Sequence, residues 1–278
     1  MLLPLLAVTL LNFSCGSKKL SGGQPEGKWI QLFNGKDLND WTIKIKGKPL
    51  NDNYMNTFRV EDGMMKVRYE GYDQFNQQYG HIYYKKKFSA YLLNLEYRFV
   101  GEQAKGGEGW ALRNSGAMLH CQDPATIGLN QDFPISCEMQ LLGGNGKDKR
   151  TTANLCTPGT NVFLNDKLFT PHCVNSTSNT YHGDIWVKAG ALVLGDSLIR
   201  HIVEGDTVLT YSKPQVDYRD RTVDRNVYKE GQTLPDGYIS LQSESHPVEF
   251  RKVELFDLSP YMHSKEALSR KIKELSGR

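Results

Sequence analysis

Glu138 and Gln140 stand two residues apart in Cys137-Glu138-Met139-Gln140-Leu141-Leu142. Successive side chains on a strand point to opposite faces. The two polar groups therefore share one face, and Cys137, Met139 and Leu141 share the other. The apolar set belongs between two sheets, which turns Glu138 and Gln140 toward a concave, solvent-open side. The same alternation puts Tyr238, Ser240, Gln242 and Glu244 on one face of their segment, and sets Glu249 and Arg251 opposite Val248 and Phe250. The register then shifts to apolar Val253 and Leu255, which predicts a β-bulge near Arg251 that re-aims a side chain. A face carrying Glu138, Gln140, Gln242, Glu249 and Arg251 suits a sugar. Amide side chains offer paired donors and acceptors that match vicinal hydroxyls. A guanidinium fork can polarise a carbonyl oxygen, and a carboxylate can take a proton. Exposed sheet faces also carry such residues with no further role, and Glu249 with Arg251 equally reads as a structural ion pair.

His246 precedes Pro247 at the entry of a late strand, where it reads either as an acid or base at the rim or as a plain turn residue. Trp110 and the tyrosines 69, 72, 79, 83 and 84 can stack on sugar rings or fill core and rim. His120 and His201 read as ordinary hydrogen-bonding strand residues.

The elements that must position these groups are short strands and turns. Phe58–Met64 contains an Asp62-Gly63 hairpin signal. Leu93–Val100 and Ile135–Leu142 alternate. Ile185–Tyr211 reads as three strands broken at Ala189-Gly190, Gly195-Asp196 and Glu204-Gly205-Asp206. Ser264–Leu275 has a helical period, with Ala267, Leu268, Ile272 and Leu275 on one face. The pattern predicts an all-β chain: a two-sheet antiparallel sandwich over 28–258 and a short amphipathic C-terminal helix over 259–278.

Of the 278 residues, 39% are hydrophobic and 23% charged, enough to bury a core and to exclude disorder. The net charge of +3 is interspersed, which argues against nucleic acid as a partner. Leu2–Leu11 is apolar but too short to span a bilayer core, and Cys15 follows between Ser14 and Gly16. This reads as a signal peptide over 1–15 whose Cys15 is lipidated in the manner of a bacterial lipobox, although no basic residue precedes the run. A Ser/Gly/Gln/Pro tether over 16–27 follows. The chain is thus expected outside the cytoplasm on a lipid anchor, periplasmic or at the cell surface. Disulfides are permitted there, and Cys156 and Cys173 could staple the loop-like stretch between them. Cys121, Cys137, Cys156 and Cys173 allow three pairings, among which the sequence does not choose. Neither zinc-type nor calcium-type ligand spacing occurs, so no metal and no cofactor are expected.

Seven segments in order resemble the 3-keto-disaccharide hydrolase family. They are Gly27–Trp41, Phe58–Lys66, Trp110–Gly116 with its Asn-Ser-Gly turn, the Glu-x-Gln strand Cys137–Leu142, the hairpin from Trp186 to Val208, Gly237–Gln242 and Val248–Arg251. The hairpin turn is Glu204-Gly205 where the family has Asn-Gly, and 154–182 has no clear counterpart, so specificity is expected there. The resemblance implies a concanavalin-like jelly roll, adds Arg113 and Asn114 to the polar face, and implies cleavage of 3-keto-glycosides. A ketone at C3 acidifies the C2 proton, a base removes it, the C1 substituent leaves, and water adds. In that scheme Glu138 or His246 is the base, Arg113, Arg251 and Gln140 hold the carbonyl, and Asn114, Gln242, Glu249 and Trp110 bind the sugar. A retaining glucanase would need a second carboxylate on the same strand; Gln140 and Leu142 stand there instead. The other reading is a lipid-anchored, non-catalytic carbohydrate-binding module.

Overall fold

The computed structural model describes residues 27–276. The expected signal peptide with Cys15, and all but the last residue of the expected tether, lie outside the described residues. Two antiparallel sheets of ten and seven strands face each other. The seven-stranded sheet runs in the order Cys173–Val174, Asn154–Cys156, Cys137–Leu142, Asn114–Cys121, Tyr238–Ser243, Gly80–Tyr84, Trp41–Ile45. In the ten-stranded sheet Ala90–Phe99 and Val248–Asp257 pair at the centre, flanked by Val187–Leu194 on one side and Met64–Val67 on the other. Pairs distant in sequence are therefore neighbours in space, which places side chains from several segments on one face.

Alternation fixes which residues meet between the sheets. Leu93, Leu95, Tyr97 and Phe99 from one sheet and Ile82, Met139, Leu141 and Leu241 from the other are all buried in a single core. Burial of this many large apolar groups is the main stabilising term. Asp62 and Gly63 both take positive φ, 55° and 72°, joining Phe58–Glu61 to Met64–Val67 as the hairpin signal predicts. The helix spans Lys265–Ser276. Ser264 caps it by accepting from the Ala267 N–H at 3.2 Å. Its apolar stripe, Ala267, Leu268, Ile272 and Leu275, packs on Leu192, Leu194, Phe256 and Tyr261 at the outer face of the larger sheet. Among the described residues no helix is long and apolar enough to cross a membrane.

Three sequence expectations change. Ala189-Gly190 is not a break: Val187–Leu194 runs straight through it. A side chain at Gly190 would collide with the Leu93 carbonyl, so the glycine serves close approach of neighbouring strands rather than a turn. The stretch 154–182 contains four short strands, Asn154–Cys156, Thr160–Leu164, Lys167–Phe169 and Cys173–Val174, split between the two sheets. Its many polar residues hide their pairing because each strand is only two to five residues long. Finally, Glu249 and Arg251 do not join Glu138. They lie on the opposite, ten-stranded sheet, on its outer face. The predicted bulge is present, with the register against Ala90–Phe99 shifting between Phe250 and Lys252.

Candidate active site

On the outer face of the seven-stranded sheet, Glu138, Gln140 and Leu142 line a cavity of about 380 Å³ together with Asn114, Arg150, Glu244, Trp110 and Phe133. The far wall is Pro158, His172, Cys173 and Cys156. Cys156 and Cys173 form a disulfide. Cys121 and Cys137 are free and buried. The bond ties the two-residue edge strand to its neighbour, and Thr157 reinforces it by donating its N–H and its hydroxyl to the His172 carbonyl at 2.8 and 3.1 Å.

Strand register builds the floor. Gly116 is paired with Gln140, and Met118 with Glu138. On its other side the same strand pairs Ala117 with Leu241, and Gln242 pairs in turn with His81. Gly116 matters because a Cβ there would lie 2.6 Å from Glu138 Oε1 and 3.1 Å from Gln242 Oε1. The missing side chain lets those two oxygens converge above the sheet. Gln140 Oε1 accepts from Asn154 Nδ2 at 3.1 Å, which orients its amide N–H group outward. Asn154 is itself held by Thr151 and Ser176.

The electrostatics set this face apart. Glu138 and Glu244 are buried, and Glu138 Oε1, Glu244 Oε2, Glu108 Oε2, Asn114 Oδ1 and both amide atoms of Gln242 have no protein partner. Burial pushes the Glu138 carboxyl up from 4.5 to about 8. Burial raises Glu244 still more strongly, the Glu138 and Glu108 charges add to it, and Arg150 opposes it. His81 is neutral: burial and then the Lys44 charge lower it to about 3.

The arginines are already engaged. Arg150 Nη1 donates to the carbonyls of Leu112, Arg113 and Gly143, and Nη2 to that of Trp110 at 3.2 Å. It clamps the turn that carries Trp110 and Asn114, and supplies positive charge with few free N–H groups. Arg113 donates to the Gly183 carbonyl at 2.9 Å and pairs with Asp184 at 2.8 Å. His246 is buried against Phe99 with neither ring nitrogen partnered. Burial first, then Arg113 and Arg150, hold it down to about 4. It does not line the cavity. Trp110 does, half exposed, beside Tyr79 with ring centroids 6.0 Å apart; Phe133 stands on the other side of Tyr79 at 5.0 Å.

Arg251 pairs with Glu96 at 2.5 Å and stacks over Trp186 at 4.4 Å, remote from this face. Glu249 is enclosed by Arg68, Arg98 and Lys66. Burial pushes its carboxyl up, but Arg98 and Arg68 outweigh that and hold it below the usual range. A larger cavity of about 550 Å³ lies on that opposite sheet near the helix. Its central carboxylate, Glu254, is already satisfied by Gln31, Asn94 and Lys252. The unsatisfied groups therefore gather on the smaller sheet.

Residues 28–255 match the family model of the 3-keto-α-glucoside-1,2-lyase-like domain. The chain belongs to this family. Among solved structures it is similar to two candidate glycosyl hydrolases from Parabacteroides distasonis ATCC 8503. One is 19% identical with a TM-score of 0.50, covering 83% of this chain and 94% of that one. The other is 16% identical with a TM-score of 0.50, covering 83% and 100%. A lectin from Bauhinia forficata in complex with GalNAc aligns more loosely, at 8% identity and a TM-score of 0.40, covering 83% and 98%. No curated protein matches by sequence. The architecture is an all-β sandwich of two antiparallel sheets with a C-terminal helix, and the family implies a carbohydrate-active role.

Of the residues singled out from the sequence of this 3-keto-α-glucoside-1,2-lyase-like domain, Glu138, Gln140, Asn114 and Trp110 line one cavity, and Gln242 reaches its floor. Arg113 and His246 are not among its lining residues, and Glu249 and Arg251 belong to the opposite sheet. Strand alternation puts Glu244 on the right face without marking it as a site residue. It passes over Arg150, Glu108, His81 and Phe133. Among the described residues no group of three or more His, Cys, Asp or Glu is arranged to hold a metal ion.

Proposed function

We propose that the protein cleaves 3-keto-glycosides by elimination, with Glu138 and Glu244 as an acid–base pair. The observation that carries this reading is the pair itself: two buried carboxyls facing one sugar-sized cavity, each with an oxygen that no protein group satisfies. Like charges in one buried site do not ionise together, so one carboxyl keeps its proton while the other can act as base. Glu244, raised further, retains the proton, and Glu138 is the base. Its raised proton affinity suits removal of a weakly acidic C–H near neutral pH. Glu138 takes the C2 proton, the electrons pass through the enolate at C3, and the C1–O bond breaks. Glu244 gives its proton to the leaving oxygen. Water then adds across the C1–C2 double bond, which returns the keto sugar and gives net hydrolysis.

The enolate oxygen needs a donor. With Arg113 and Arg150 spent on protein acceptors, the Gln242 and Gln140 amide N–H groups are the better candidates. Trp110 offers its exposed ring to a sugar face.

Glu138→Gln and Glu244→Gln are each assayed on a 3-keto-glucoside by mass spectrometry. Loss of an acid or base is worth about 100-fold or more, so both variants should fall at least that far. Full turnover in either removes that residue from the chemistry. Sugar binding by the native protein with no product would leave a carbohydrate-binding module. We also propose that Cys15 carries a lipid anchor outside the cytoplasm; Cys15→Ala should then move the protein from the membrane to the soluble fraction.

A further inference from the structure

The cavity is rich in acceptors and poor in donors. Glu138 Oε1, Glu244 Oε2 and Asn114 Oδ1 on its lining, and Gln242 Oε1 beside Glu138, are buried and unpartnered. Nearby cations do not meet them. Arg150 gives its N–H groups to four main-chain carbonyls. Lys44, beside His81, gives its ammonium to the carbonyls of Ile45, Lys48 and Leu129 at 3.1, 2.8 and 3.2 Å. Arg113 is turned to Asp184. Gln242 is the independent mark of a ligand, being fully buried with both amide atoms open. Because Gly116 has no side chain, Gln242 and Glu138 converge on one point above the sheet.

We infer that this site takes a sugar-sized ligand bearing a basic nitrogen, an amino or imino sugar, with its ammonium held between Glu138 and Glu244. The inference rests on the sugar site of the proposed function but not on its reaction. A neutral hydroxyl satisfies one acceptor per proton it donates. An ammonium brings two or three donors and a charge, and charge-assisted hydrogen bonds are roughly twice as strong. It also resolves the conflict between the two carboxyls, because a cation between them favours ionisation of both. The titratable and charged groups lining the cavity are Glu138, Glu244, Arg150 and His172; Glu108 lies close enough to Glu244 for its charge to act on it, and Arg113 is neutralised by Asp184. Both nearest carboxyls bind protons tightly when the site is empty, so binding expels a proton.

The test uses two ligands that differ at one atom: 1-deoxynojirimycin, with nitrogen in the ring, and 1,5-anhydroglucitol, with oxygen there. Each is titrated calorimetrically into the full-length protein in two buffers of different ionisation enthalpy. Titrated at about pH 5.5, where its nitrogen already carries the proton, the imino sugar should bind about tenfold tighter or more and release on the order of one proton. The oxygen analogue should release none. Glu244→Gln and Glu138→Gln should each cut the preference below about threefold and reduce proton release, while Arg251→Ala keeps both. Equal affinities, no binding of either ligand, no proton release, or a preference that survives both substitutions would each overturn the inference. Turnover of a 3-keto-glucoside is measured separately. Turnover without imino preference refutes only this inference, and imino preference without turnover refutes only the proposed reaction.

Discussion

Replacing Glu138 by Gln should make the fold more stable at alkaline pH while removing activity. Burial raises the Glu138 carboxyl from 4.5 to about 8, so the folded chain holds this proton more tightly than the unfolded chain does. The folded state then binds more protons between those two values, and stability falls as pH rises through that window. Below 4.5 both states are protonated and the contribution is fully present; above about 8 it is lost. Each factor of ten in proton affinity is about 1.36 kcal/mol, so the loss is on the order of 5 kcal/mol. Glutamine keeps the shape and never ionises. Native protein and Glu138→Gln should therefore match near pH 4.5 and diverge steadily to about pH 8. Their urea midpoints should then differ by about 1–2 M. Glu138→Gln also removes the like charge that raises Glu244, so the gap reports the coupled pair rather than Glu138 alone. Urea unfolding followed by fluorescence at intervals of one pH unit measures the gap. Parallel curves would mean that Glu138 ionises freely in the fold. The shared-proton pair, and the acid–base roles built on it, would fail with it.

Gly116→Ala should leave the circular dichroism spectrum intact but lower turnover at least tenfold. Its Cβ would lie 2.6 Å from Glu138 Oε1 and force the base aside, and displacements of this order cost about 100-fold in favourable cases. Breaking the Cys156–Cys173 bridge by double Ser substitution should cost about 3 kcal/mol in thermal unfolding, from its sequence separation of 17. It should also raise KM more than it lowers kcat, since the bridge walls the cavity without touching the carboxyl pair. Arg251→Ala should leave kcat/KM within twofold of native, because its guanidinium stacks on Trp186 on the opposite sheet.

The fold was legible because period-two burial dominates it. Met139 and Leu141 on one strand and Leu93, Leu95 and Tyr97 on another point to the core as alternation requires. The candidate site was legible to the extent that alternation reaches. It says which side of its own strand a residue occupies, not which sheet that strand joins. Glu249 and Arg251 do alternate with Val248 and Phe250, yet Val248–Asp257 pairs with Ala90–Phe99 and Met64–Val67, so their polar face looks away from Glu138. His81 had no usable signal. All five residues of Gly80–Tyr84 are buried, one side by the core and the other by Tyr83 packing with Met118 and Cys121 and His81 against Phe133, and alternation disappears. Arg150 sits in Lys147-Asp148-Lys149-Arg150, which reads as a solvated charge run. Only the fold turns its guanidinium onto four carbonyls.

The second carboxylate illustrates the same limit with a chemical consequence. A search along one strand finds Gln140 and Leu142 where a glucanase would place it. The carboxyl comes instead from Glu244, just past the end of a strand two places across the sheet, with the strand carrying Gly116 between. Each carboxyl is buried without a cationic partner, an arrangement that costs stability. Elsewhere in the molecule buried carboxylates are paired: Glu249 with Arg68 and Arg98, Glu254 with Lys252 and Gln31. A chain that neutralises its buried acids on one sheet and leaves them open on the other keeps its unmet hydrogen-bonding capacity for the cavity. Local violations of packing rules that gather in one place are the physical mark of function. Here they gather at Glu138 and Glu244, and not at the charged residues of the opposite sheet.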